Sequence, residues 1–98
     1  MIDEGELDWK LIVVSVDDPL AASLHTIADV EAQCEGVVTG IREWFRWYKT
    51  PDGKPTNGFG FGEAALDAAM AVEVIEETHE QWKALVASET QQGSMWVK

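Results

Sequence analysis

The stretch that decides the fold is IDEGELDWKLIVVSV, residues 2–16. Its first half is acidic: Asp3, Glu4, Glu6 and Asp8 crowd around Gly5, and Lys10 follows closely. Its second half is apolar and rich in β-branched side chains. That composition predicts a strand over 9–16, partly buried on both faces. Residues 1–8 read as a loop or short turn. Pro19 ends the strand because it cannot donate to a ladder, and Asp17 and Asp18 favour a turn. A lone strand is a poor core element, since buried backbone groups without ladder partners are costly. The reading therefore expects a sheet whose other strands are not in this sequence.

Helices are expected on the C-terminal side of this stretch. Thr26 is placed to N-cap a short helix, TIADVEAQC, with Asp29 where the acid of a capping box belongs. Gly36 stops it. In the next segment Val37, Ile41, Trp44, Phe45 and Tyr48 recur at three and four, which predicts an amphipathic helix over 37–49. Thr50-Pro51-Asp52-Gly53 ends it in a turn. Residues 54–62 read as a loop, and a long helix is expected over 63–88 with Leu66, Met70, Ile75, His79, Trp82 and Leu85 facing inward. Residues 89–98 read as a frayed tail.

The chain has 98 residues, which bounds it at one domain. It is 46% hydrophobic and 26% charged, a globular rather than a disordered composition. The net charge of −11 argues against nucleic-acid or anionic-membrane binding, both of which need a basic surface. It is compatible with divalent cations or a basic partner. A single cysteine, Cys34, allows no intrachain disulfide and favours a reducing compartment. There is no secretory signal and no apolar run near the ~20 residues that span a bilayer. A cytoplasmic protein is the expectation.

Two places carry possible chemistry. Asp3 and Asp8 flank a glycine-containing turn, and Mg²⁺ takes one or two such carboxylates and completes its shell with water and phosphate oxygens. Asp8 and Lys10 share a face if the chain is extended there. The alternative is a solvated acidic loop. Tyr48 and Lys49 close the second predicted helix. They read either as a helix end whose lysine answers the macrodipole, or as two donors for phosphate oxygens. Asp17-Asp18-Pro19 is a turn rather than a metal site, because adjacent aspartates on an extended chain point apart. His79 reads as a packed residue beside Trp82. The GFGFG run lacks the strand-then-helix context of a dinucleotide fingerprint.

IDEGELDWK, VDDPLA, EWFRWYKTPDGKPTNGFGF and EETHEQWKAL, in that order and spacing, resemble the family I soluble inorganic pyrophosphatases. The eukaryotic-type branch is the nearer likeness, and it extends from Met1 to about Val86. The resemblance implies an α+β fold: the C-terminal part of an OB-like β-barrel domain, here one main strand and two long helices. It implies a division into active-site loop and strand (1–18), helices (26–50), C-terminal helix (63–88) and tail (89–98). It further implies Mg²⁺-dependent hydrolysis of pyrophosphate to phosphate. Asp3 and Asp8 match metal ligands; Lys10, Tyr48 and Lys49 match phosphate-binding residues, Lys10 and Tyr48 also in the catalytic set. A homodimer is implied for the full-length form, with an organellar location open if a targeting segment lies upstream.

The departure is the family's D-x-D-P-x-D metal run. VDDPLA is its only echo, and Val16 and Ala21 stand at two of the three aspartate positions. The reading therefore expects a C-terminal portion whose Met1 is an internal methionine or a shortened start, weakly active or inactive alone. A non-catalytic acidic association module is the other reading.

Overall fold

The computed structural model describes residues 1–88, so the expected tail at 89–98 lies outside the described residues. The chain forms two units, Met1–Ala68 and Ala69–Lys98.

The first unit opens with a hairpin, not a loop. Strand β1 (Ile2–Asp3) pairs antiparallel with β2 (Glu6–Leu7), Ile2 opposite Leu7 and Asp3 opposite Glu6. The connection is the two residues Glu4 and Gly5, at φ 49° and 85°. Positive φ at both centres is the type I′ turn, whose twist matches that of the flanking strands. Ile2 donates its N–H to Gly58 O at 2.7 Å and accepts from Gly58 N at 3.0 Å. Its backbone groups are thus directed away from β2, and Ile2–Leu7 is the non-hydrogen-bonded type of pair. Asp8 N donates to Met1 O at 2.9 Å and closes the base of the hairpin. Met1 is buried there.

The expected strand over 9–16 does not form. Among the described residues, strand pairing is confined to the hairpin and the Ile2–Gly58 bridge. A strand is defined by its partner, and no ladder partner for 9–16 lies among the described residues. Leu11, Ile12, Val13, Val14 and Val16 are exposed, Val13 at 81% and Val16 at 91%. The α+β class holds, but its β part is this small hairpin rather than one main strand. The turn expected at Asp17–Pro19 is present: Leu20 N donates to Asp18 Oδ1 at 2.8 Å, and Ala21 N to Asp18 O at 2.9 Å.

Helix α1 (Ile27–Gln33) carries the expected capping box. Asp29 N donates to Thr26 Oγ1 at 3.1 Å, and Asp29 Oδ2 accepts from Thr26 N at 3.0 Å and His25 N at 2.9 Å. The His25 N–H above all, with those of Thr26, holds the Asp29 carboxyl below the ordinary carboxylate value. Helix α2 (Val37–Trp47) follows Gly36 and lies against α1, with Val38 buried. It stops short of Lys49: Tyr48 is its C-cap, and Thr50–Asp52 form a single 3₁₀ turn closed by Gly53. The backbone of Phe61, Gly62 and Glu63 is left-handed at φ 56°, 62° and 65°. Such a run cannot start an α-helix, and Ala64 after it is extended, so the long helix does not begin at 63; α3 starts at Ala68.

Helix α3 (Ala68–Ala87) starts at the last residue of the first unit and accounts for the described part of the second up to Ala87. Val74 is its buried residue, with Met70 and Leu85 half-buried. Of the expected inward face, Met70 and Leu85 are half-buried as read, while Ile75, His79 and Trp82 are exposed and Val74 is buried in place of Ile75. His79 and Trp82 stack with ring centres 5.4 Å apart. No described helix is long and apolar enough to cross a membrane.

Candidate active site

The register of the hairpin fixes which acids share a face. Asp3 and Glu6 are a cross-strand pair, and Asp8 lies two residues beyond Glu6, so all three project to one side. Asp3 and Asp8 are diagonal neighbours on that side, a spacing of roughly 7–8 Å between backbones. Sequence reasoning missed Glu6 in this group. The signal was Glu4-Gly5, a two-residue turn of the Xaa-Gly kind, and it fixes the alternation.

Each aspartate meets a lysine. Lys49 Nζ donates to Asp3 Oδ1, although 46 positions separate them in sequence. This contact, reinforced by the charges of Asp3 and Glu4, raises the Lys49 ammonium above the ordinary lysine value, against a smaller opposing effect of burial. Lys10 Nζ lies 3.1 Å from Asp8 Oδ2. Asp8 and Lys10 therefore do share a side, as expected, although the segment is not a strand. Lys54 Nζ stands 3.9 Å from Glu4 Oε1 at the tip of the hairpin.

An aromatic cluster joins the two ion pairs. Lys10 Nζ sits 5.2 Å from the centre of the Phe45 ring, within cation–π range. Phe45 meets Tyr48 edge-on at 5.7 Å, and Tyr48 stacks on Trp44 at 5.1 Å. The five residues singled out in the sequence thus fall along one connected path: Asp8, Lys10, Phe45, Tyr48, Lys49, Asp3. Phe45 was read only as part of an apolar helix face; its role in seating Lys10 has no signal in spacing alone.

Trp9, next to Lys10, stacks on Phe61 with ring centres 6.0 Å apart. Phe61 belongs to the left-handed run, whose non-glycine members cost on the order of 1–3 kcal/mol each. Glu63 is held by Arg46 Nη2 at 2.6 Å, and Arg46 also grips Glu43 through Nε at 2.8 Å. Those two carboxylates raise the Arg46 guanidinium, Glu43 first, and Arg46 in turn lowers the Glu43 carboxyl. Arg46 also lies over the Phe59 ring at 5.3 Å. The strained turn is therefore clamped at both ends, one of them beside Lys10.

Asp3 and Asp8 offer the hard oxygen donors that Mg²⁺ prefers. Among the described residues, no three acidic, histidine or cysteine side chains converge closely enough to hold a metal ion by themselves. The donor type fits Mg²⁺, while the donor number fits only a site shared with substrate oxygens, water or groups from elsewhere.

The sequence model of the inorganic pyrophosphatase family matches residues 1–83. The chain is 47% identical over 95 residues to the soluble inorganic pyrophosphatase 6, chloroplastic, of Arabidopsis thaliana, covering 97% of this chain and 32% of that protein. It is 49% identical over 90 residues to the Homo sapiens inorganic pyrophosphatase, covering 92% of this chain and 31% of that one. Among solved structures, the type I inorganic pyrophosphatase of Toxoplasma gondii superposes with a TM-score of 0.83 at 54% identity, over 86% of this chain and 36% of that one. The recombinant inorganic pyrophosphatase of T. brucei brucei gives 0.88 at 36% identity, over 96% and 27%. The chain thus spans about a third of the length of its curated relatives. A family match over most of the chain, supported by backbone and sequence together, places this protein in the inorganic pyrophosphatase family.

Proposed function

We propose that this chain is the C-terminal portion of a Mg²⁺-dependent inorganic pyrophosphatase and forms one wall of its active site, where diphosphate is hydrolysed to two phosphates. The observation that carries this reading is the pairing of Lys49 with Asp3 and of Lys10 with Asp8 beside one hairpin face. A purely associative acidic module gives no reason for that arrangement.

Lys10 and Lys49 are the cationic donors for phosphate oxygens, and the Tyr48 phenol is the neutral one. The aspartates hold both ammonium groups against the hairpin, and Asp3 raises the Lys49 ammonium above its ordinary value. An arriving polyanion would draw each ammonium partly from its carboxylate, leaving carboxylate oxygen to face a metal. Asp3 and Asp8 are then the residues that hold Mg²⁺. The ion supplies charge neutralisation and a bound water of lowered pKa. Lys10 and Tyr48 stabilise the phosphate that leaves.

The rest of the OB-like barrel, and with it the missing acidic metal run, would come from outside this stretch. Catalytic groups act as a unit, so the 98-residue chain alone is weakly active or inactive. The longer enzyme would act as a homodimer in the cytoplasm, or in an organelle of the kind named for the Arabidopsis relative.

Phosphate release from pyrophosphate with Mg²⁺, measured beside Asp8→Asn, tests this division of labour. Little or no release is expected from the chain alone. Robust turnover that vanishes in Asp8→Asn would show that these residues form a working site by themselves and would refute the partial-site reading.

A further inference from the structure

We propose that Asn57 is a positioning residue for this site, tying the end of α2 to the edge of β1 so that Lys49 is set against Asp3. The inference rests on the reading of Lys49 as a phosphate donor. Asn57 is buried, with 2% of its surface exposed. Its side-chain Nδ2 donates to Phe45 O at 2.8 Å, and its backbone N–H donates to Arg46 O at 3.0 Å. These carbonyls belong to the last turn of α2, where no helical N–H remains to serve them. The next residue, Gly58, exchanges two hydrogen bonds with Ile2.

Two consecutive residues therefore grip two elements. Lys49 lies just past the α2 end that Asn57 holds, and Asp3 directly follows the Ile2 that Gly58 holds. A residue serving only as a helix cap would need no link to β1. Thr50 is such a residue: its hydroxyl donates to Trp47 O at 2.8 Å and reaches no strand. Among the described residues, no donor reaches the buried Oδ1 of Asn57. An unpaired buried acceptor is costly, so the carboxamide contributes here through its donor half, the Nδ2 bond to Phe45 O.

Zero-length carbodiimide coupling, read by peptide mass spectrometry on the 98-residue chain, tests this. It joins a lysine to a carboxylate only where the two touch, and the Asp8–Lys10 link serves as the internal reference. Asn57→Ala is expected to lower the Asp3–Lys49 link relative to Asp8–Lys10 by roughly threefold or more, while Thr50→Val leaves the ratio unchanged. Asn57→Ser, whose hydroxyl is too short to replace Nδ2, is expected to show the same selective loss with helical circular dichroism and melting unchanged. Loss of the link only together with helicity would mean general unfolding and overturn the positioning role. An unchanged ratio in the serine variant, or an equal loss in Thr50→Val, would overturn the proposal. Protection of Lys49 from acetylation by pyrophosphate with Mg²⁺ is measured separately. Failure there would count against the donor reading while the coupling ratio still decides the role of Asn57.

Discussion

Replacing Gly5 probes the element that aligns the acids of the site. Its φ of 85° lies in the left-handed region, and an added Cβ would meet nothing within 4 Å. The cost of Gly5→Ala therefore lies in its own backbone conformation, not in a clash with more distant parts of the chain. An L-residue in that region costs roughly 1–2 kcal/mol, offset in part by a stiffer unfolded chain, which leaves about 1 kcal/mol. The Asp8 amide, bonded to Met1 O at the base of the hairpin, reports local opening. Its hydrogen-exchange protection should fall about fivefold in Gly5→Ala, the factor that 1 kcal/mol implies. Gly5→Asn should lose less, because asparagine tolerates this conformation. Glu4→Asn should gain protection, since asparagine suits the first centre of a type I′ turn. Unchanged protection in Gly5→Ala, or an equal loss in Gly5→Asn, would refute the assignment of the turn and with it the shared face of Asp3, Glu6 and Asp8.

Thr26→Ala removes one half of the α1 capping box and should cost about 1 kcal/mol in chemical denaturation. The Asp29 carboxyl has a lowered pKa in the folded chain, so its contribution is complete above the unfolded value and is lost as pH falls through the folded one. Helicity followed by circular dichroism should therefore decline below about pH 4, and Asp29→Asn should flatten that decline. Phe45→Leu keeps an apolar, somewhat smaller side chain but removes the ring under Lys10. The Asp8–Lys10 carbodiimide link should weaken while stability changes by less than about 1.5 kcal/mol. Lys49→Ala should weaken pyrophosphate binding on the order of tenfold, measured by calorimetry, through loss of a charged donor.

Local chemistry was the most legible part of this sequence. The α1 capping box needs only Thr26 and Asp29 three apart, and both hydrogen bonds form. The start of α2 follows from its apolar spacing, and its end was overextended by two residues because Thr50-Pro51 already tightens the chain into a 3₁₀ turn. Non-local structure was less legible. Nothing in LIVVSV states whether a partner strand is present, and the segment pairs with no strand among the described residues. The start of α3 was misplaced because the left-handed turn at Phe61–Glu63 depends on the Trp9 stack and the Arg46 grip, both distant in sequence. Within the candidate site, the chemistry of Asp3, Asp8, Lys10, Tyr48 and Lys49 marks them as candidates, and resemblance to known pyrophosphatases decides between the metal-and-phosphate reading and the plainer one. Their pairing, and the part taken by Glu6, Phe45 and Asn57, became visible only in the folded chain.

Calorimetric titration of the chain with pyrophosphate, in the presence and absence of Mg²⁺, tests the central claim most directly. The account predicts binding that strengthens with Mg²⁺, loses that strengthening in Asp8→Asn, and weakens in Lys49→Ala. Binding that ignores Mg²⁺ and is unchanged in both variants would contradict it, as would no binding by a chain whose Asp3–Lys49 and Asp8–Lys10 links form in full.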